Sequence, residues 1–228
     1  MKYFYIIANY NKEYAQETQK QIRTYLERRG AVCRSNGDED RSGDCRTKKE
    51  DIPPQTQCII SIGGDGTLIR AARNLAGLNI PILGVNRGHL GYLNQVNRDD
   101  ELEPVLAQLV EDRYQVEERM MLCGEAWKKG SIVMKDIALN EIALIRKSVL
   151  NALRFFVYVN GQYLSRYSAD GIIVSTPTGS TAYNMSAGGP LVAPGARMMI
   201  MTPICSHELN ARSIVLEPED QIQIEMFG

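Results

Sequence analysis

Apolar and polar positions alternate on a recurring plan through the first hundred residues. Tyr3 to Ala8 is an apolar, β-prone run, and Lys12 to Arg29 carries helix formers as far as Gly30, a residue suited to ending a helix. Strand then helix recurs downstream. Cys58 to Ile62 is a short apolar run, residues 63–67 read GGDGT, and Leu68 to Ala76 has the composition of a helix. Ile80 to Val85 supplies another buried strand, closed by a second turn at Asn86, Arg87 and Gly88 ahead of a segment from Leu90 to Leu93. Glu101 to Glu111 predicts one more helix. Such alternation predicts a parallel α/β sheet.

The pattern then changes. Helix signals become sparse and β-prone segments dominate, among them Ile137 to Ile145, Leu153 to Val159 and Gly171 to Ser175. The expected organisation is an α/β domain over residues 1–100 and a β-rich domain over 101–228, with no internal repeat. The interval Arg34 to Gln57 is polar, highly charged and contains Pro53 and Pro54. It is long for a structureless connection inside a compact domain and reads as a solvated loop.

Composition narrows the chemistry. A chain of 228 residues, 44% hydrophobic, can bury a substantial core. Its 26 basic and 27 acidic residues leave a formal charge of −1, which argues against a nucleic-acid partner. Cys33, Cys45, Cys58, Cys123 and Cys205 are scattered without CxxC spacing, so they read as reduced thiols rather than a disulfide framework or zinc site. With only His89 and His207 a His-rich centre is excluded. Any bound metal would use oxygen ligands, as Mg²⁺ carried in by a nucleotide does. No secretory signal and no apolar run of bilayer-spanning length is evident, so no membrane partner is expected and the expected address is the cytoplasm.

The chemistry-bearing residues fall in three places. In GGDGT, Gly63, Gly64, Gly66 and Thr67 surround Asp65; glycines let backbone amides approach phosphates, and the acid can face a substrate hydroxyl. The same turn is also compatible with a simple strand-to-helix connection. The dinucleotide fingerprint GxGxxG would need glycine where Ile69 stands, and no GK[ST] follows, so neither a plain Rossmann dehydrogenase nor a P-loop protein is indicated. Residues 170–190, DGIIVSTPTGSTAYNMSAGGP, gather hydroxyls at Ser175, Thr176, Thr178, Ser180 and Thr181 around Tyr183, whose ring could lie against a purine. Asn140 and Glu141 interrupt an apolar segment, where they would bond either a ligand or nearby backbone.

In this order, GGDGT, NE within ALNEI, and the 170–190 block resemble the NAD kinase family, and the likeness extends through NRGHLGYL at 86–93 and TPICSHELNARSIVL at 202–216. GGDG alone is shared with diacylglycerol, sphingosine and phosphofructokinase families; the TPTGSTAYN block discriminates. The resemblance implies an N-terminal Rossmann-like α/β domain, a C-terminal β-rich β-sandwich domain, an active site between them, and a homodimer or homotetramer. It implies transfer of a phosphoryl group from ATP or polyphosphate, with Mg²⁺, to the 2′-hydroxyl of the adenosine ribose of NAD. By position, Asp65 would be the catalytic carboxylate, with Gly63, Gly64, Gly66, Thr67, Asn86 and Arg87 at the phosphates. Asn140, Glu141, Asp170, Thr178, Thr181, Ala182, Tyr183 and Ser186 would hold NAD, and no protein side chain is assigned to the metal. Family sequences continue for some tens of residues past the position of Gly228, so the resemblance implies a β-rich domain truncated at its C-terminus. The alternatives are a lipid or sugar kinase of the same superfamily and a non-catalytic NAD(P)-binding protein. His207 is assigned no role, since a lone histidine is more often a structural hydrogen-bonding group.

Overall fold

The computed structural model describes residues 1–36, 47–88, 91–148 and 151–227, the side chain of Asp99 excepted. The chain divides into two compact units, Met1–Val116 and Glu117–Gly228. Among the described residues no helix is long and apolar enough to cross a membrane.

The first unit is built on a wholly parallel sheet. Strands β1 (Tyr3–Ala8), β2 (Val32–Ser35), β3 (Cys58–Ile62) and β4 (Ile82–Val85) lie in the order β2-β1-β3-β4. Helices α1 (Ala15–Glu27), α2 (Asp65–Leu75) and α3 (Asp99–Val110) accompany them. The period of two along β1 sends Phe4, Ile6 and Ala8 to one face, where they meet Ile22 and Leu26 of α1 and Leu102, Leu106 and Leu109 of α3. Tyr5 and Ile7 turn to the other face and pack with Ala71 and Leu75 of α2. Because the apolar face of α3 completes the first of these cores, the helix belongs to the first unit.

The polar stretch 34–57 is partly ordered. Its start forms the end of β2, Lys49–Asp51 make a 3₁₀ turn, and residues 37–46 lie outside the described residues. β2 is short, with polar Arg34 among its four residues, and therefore carries little strand signal.

The second unit is antiparallel. One sheet has the order β12-β11-β10-β7, from β7 (Glu141–Ile145), β10 (Gly171–Ser175), β11 (Met199–Ile204) and β12 (Ile214–Leu216). Another, β13-β8-β9, comprises β8 (Leu153–Val159), β9 (Gln162–Ala169) and β13 (Ile222–Met226). Phe155, Val157, Tyr167 and Ala169 from the second sheet share a core with Ile172 and Met201 from the first, which makes a β-sandwich. The Phe155 and Tyr167 rings stack at 5.5 Å between centroids. A hairpin of β5 (Leu122–Lys128) and β6 (Ser131–Ala138) precedes the sandwich. The apolar segment 137–145 is therefore two strands, broken at Leu139 and Asn140.

Cys33 and Cys58 are buried free thiols, pushed up to about 12 chiefly by burial, and Cys123 and Cys205 are free and exposed. Cys45 and His89 lie outside the described residues.

Candidate functional site

In the first unit the connections from β1 and β3 diverge, one leading to β2 and the other to β4, so the carboxyl ends of β1 and β3 form a topological switch point. Open α/β sheets bind ligands at such points. GGDGT leaves β3 there, and Asn9 leaves β1. The two strand ends are tied by Asn9 N–H to the Ile62 carbonyl (3.0 Å), and the Asn9 amide donates to Thr67 Oγ1 at 3.3 Å. Gly63 sits at φ +153°, and a Cβ on it would overlap the Thr67 side chain, so glycine is required.

Asp65 opens α2, where a negative side chain is favoured by the helix dipole. Its Oδ2 accepts from the Tyr92 amide at 2.8 Å, and its Oδ1 from the Leu93 amide at 3.3 Å and from Asn94 Nδ2 at 2.7 Å. Gly91 is packed so closely on this carboxylate that any Cβ would overlap it. The tail of the NRGHLGYL segment thus cradles the acid. Tyr92, whose amide makes one of these bonds, is 77% exposed.

Asn86 is buried at the end of β4, its amide bonded to the Val96 carbonyl at 2.8 Å, and its Oδ1 accepts from the Gly88 amide (2.9 Å) and the Tyr14 hydroxyl (3.1 Å). The Arg87 guanidinium lies against α1, donating to Thr18 Oγ1 and Gln21 Oε1 at 3.1 Å each.

In the second unit the NE turn and the hydroxyl-rich block meet. Glu141 pairs with Ser175 in the β7–β10 register, and the Thr176 amide donates to the Asn140 carbonyl at 2.8 Å. A Cβ on Gly179 would overlap that carbonyl group, so only glycine allows the approach. Ser175, Thr176 and Ser180 are fully buried and bonded within the chain: Thr176 Oγ1 donates to the Leu139 carbonyl at 2.6 Å, and Ser180 Oγ to that of Val192 at 3.2 Å. These hydroxyls build the turn rather than face outward. Asn184, also fully buried, donates to the Ser180 and Pro190 carbonyls and accepts from Thr202 Oγ1 at 2.7 Å.

What remains available is distinct. The buried atoms Asn140 Oδ1 and Glu141 Oε2 have no hydrogen-bond partner among the described residues. Burial pushes the Glu141 carboxyl above its ordinary range, opposed by the Tyr183 amide that donates to it. Thr178 and Thr181 bound a 3₁₀ turn, with Ala182 leading into the single helical turn α4 (Tyr183–Ser186). Tyr183 is 40% exposed and Ser186 is exposed. Asp170 pairs with Arg146 at 3.0 Å. Arg119, which sequence reading did not single out, donates to Thr178 Oγ1 at 3.3 Å while pairing with Glu117 at 3.0 Å.

Comparison with known proteins agrees with this architecture. Residues 4–114 match the ATP-NAD kinase N-terminal domain and residues 139–227 the ATP-NAD kinase C-terminal domain. An NAD kinase of Lachnospira eligens is 43% identical over 99% of this chain and 78% of its own length. One of Agathobacter rectalis is 45% identical over 100% of this chain and 80% of its own. Among solved structures, a yeast NADH kinase complexed with NADH superposes with a TM-score of 0.86 at 25% identity, covering 100% of this chain and 69% of that one. An NAD kinase from Archaeoglobus fulgidus in complex with ATP gives 0.78 at 26% identity, covering 99% and 81%. Fold and sequence together define a phosphotransferase of two-domain architecture. More narrowly, the chain belongs to the NAD kinase family.

Proposed function

We propose that this protein transfers the γ-phosphoryl group of ATP to the 2′-hydroxyl of the adenosine ribose of NAD, giving NADP and ADP. The observation that carries the chemistry is the Asp65 carboxylate, oriented by three donors at the head of α2. Asp65 takes the proton of the 2′-hydroxyl as that oxygen attacks the γ-phosphorus; the new O–P bond forms as the bond to the leaving ADP oxygen breaks. Phosphoryl transfer asks a protein mainly for in-line positioning and charge neutralisation. The amides of Gly64 and Gly66 serve the first, with Gly63 and Thr67 shaping the turn through their own amide bonds to the Val85 and Gly64 carbonyls (2.9 and 2.8 Å) and Asn86 and Arg87 on the adjoining turn. Among the described residues no group of three or more His, Cys, Asp or Glu side chains could hold a metal. Mg²⁺ would accompany ATP, where it would neutralise phosphate charge.

NAD recognition belongs to the second unit. Asn140 Oδ1 and Glu141 Oε2 are acceptors without partners among the described residues, suited to ribose hydroxyls, and an unsatisfied buried acceptor is destabilising until a ligand donor reaches it. Thr178, Thr181, Ala182, Tyr183, Ser186 and Asp170 complete the dinucleotide site. A cytoplasmic location and a homodimer or homotetramer belong to the same reading, the latter checked by light scattering.

The test is to incubate the purified chain with NAD and MgATP, detect NADP with an NADP-specific dehydrogenase, and repeat with polyphosphate as donor and with NADH, diacylglycerol or fructose 6-phosphate as acceptor. Asp65→Asn is expected to lower turnover by roughly 10²- to 10⁴-fold, as for loss of a general base, with NAD still bound. Tight NAD binding without NADP formation by the wild type would favour a non-catalytic sensor and refute the proposal.

A further inference from the structure

An ionised carboxylate offers about four acceptor sites, two on each oxygen. In Asp65 both sites of Oδ1 are used, by the Leu93 amide and by Asn94 Nδ2. Oδ2 holds one donor among the described residues, the Tyr92 amide. Among the described residues, only Oδ2 has a lone pair left.

Asn94 is held for this contact. It is 7% exposed, and its backbone is stitched to the end of β4: the next two amides, of Gln95 and Val96, both donate to the Gly84 carbonyl at 3.1 Å, and the Gly84 amide donates to Gln95 Oε1 at 2.7 Å. Asn97 Nδ2 donates to the Asn94 carbonyl at 2.9 Å. The side-chain amide then lies over Gly84, where any Cβ would come within 2.5 Å of Asn94 Oδ1. That oxygen is buried and has no hydrogen-bond partner among the described residues. An unsatisfied buried acceptor is destabilising, a cost that the Asn94–Asp65 hydrogen bond offsets. Departures of this kind from local stability are expected where function needs them.

We infer that Asn94 is a positioning residue for the phosphoryl transfer, fixing the Asp65 carboxylate so that Oδ2 receives the proton of the ribose 2′-hydroxyl. The inference rests on Asp65 being the base. Asn94 touches neither substrate; it acts by holding the rotation of the carboxylate, and small misplacements of a reacting group slow catalysis steeply.

The experiment compares the full chain with Asn94→Leu, Asp65→Asn and the double variant, measuring kcat, KM for NAD and the melting temperature. Asn94→Leu is expected to lower kcat roughly 10- to 100-fold, with KM for NAD held within about two-fold and melting temperature held or raised. A purely structural role would instead lower the melting temperature. The double variant is expected to turn over within about two-fold of Asp65→Asn alone, because the amide has nothing left to orient. A wild-type kcat in Asn94→Leu, or losses that multiply in the double variant, would overturn the inference. Should Asn94→Leu fail to fold, Asn94→Asp, which keeps the shape and exchanges the amide donor for a carboxylate, carries the same kcat criterion. If Asp65→Asn is slow and the Asn94 variants are fast, only the positioning role falls. If Asp65→Asn itself keeps turnover, the assignment of the base falls and takes this inference with it.

Discussion

At the scale of single residues, Glu141 shows how a ligand site is held ready against its own stability. Its Oε2 is buried without a partner among the described residues, and burial raises the carboxyl above its ordinary range. The folded state therefore holds this proton more tightly than the unfolded chain does. Stability linked to Glu141 is fully present below the ordinary glutamate value of 4.5 and is lost as pH rises through the raised folded value. Glu141→Gln removes that loss, so the free variant should melt higher than wild type near neutral pH, and the gap should close toward about pH 4. The same change removes a charged acceptor for ribose, and NAD should bind roughly 10-fold more weakly, the scale of one hydrogen bond to a charged group. Melting curves across the pH range and calorimetric titration with NAD read the two effects separately. A variant less stable than wild type near neutrality would show the carboxylate to be structural.

At the scale of elements, the strand–turn–helix around GGDGT separates glycines needed for folding from glycines free to serve a ligand. Gly63 has no room for a Cβ, whereas one on Gly64 or Gly66 would meet nothing within 4 Å. Gly66 lies inside α2, where alanine is ordinarily better by about 0.5–1 kcal/mol. Gly66→Ala should therefore raise the melting temperature. If the backbone of this turn approaches the triphosphate, the added Cβ should obstruct that approach and raise KM for ATP by roughly 10-fold, on the scale of one charge-assisted hydrogen bond weakened. Higher stability with unchanged KM would remove Gly66 from the phosphate site. The sequence made the turn visible because its strand and helix carry unbroken apolar periods. It left β2 hidden because that strand is four residues of which two, Arg34 and Ser35, are polar, and β6 hidden because most of its residues are solvent-exposed and lack alternation. It also left open which hydroxyls of residues 170–190 face inward. Composition is the same for Ser180, locked to Val192, as for Thr181 on the outer part of the turn. The partners of Asp65 were beyond reach for another reason: two are main-chain amides, which any residue supplies, and the third is an asparagine 29 residues away.

At the scale of the whole molecule, the proposed reaction assigns chemistry and recognition to different units, with Asp65 in Met1–Val116 and Asn140, Glu141 and Tyr183 in Glu117–Gly228. Variants in the two units should then fail differently. Asp65→Asn should lose turnover and keep its NAD dissociation constant, while Glu141→Gln should lose affinity first. Binding also stabilises whatever it touches: NAD at 100 times its dissociation constant adds about 2.7 kcal/mol to the state that binds it. Hydrogen exchange can locate that gain. With NAD alone, slowed exchange should concentrate at residues 139–141 and 176–187, where main-chain amides such as those of Thr176, Gly179 and Ala187 already tie the turn together. The Asp65→Asn variant should show the same protection, because its defect lies in proton transfer and not in holding the dinucleotide. Protection restricted to the first unit would reverse the assignment, making the β-rich unit a scaffold and leaving the unsatisfied acceptors of Asn140 and Glu141 without a use.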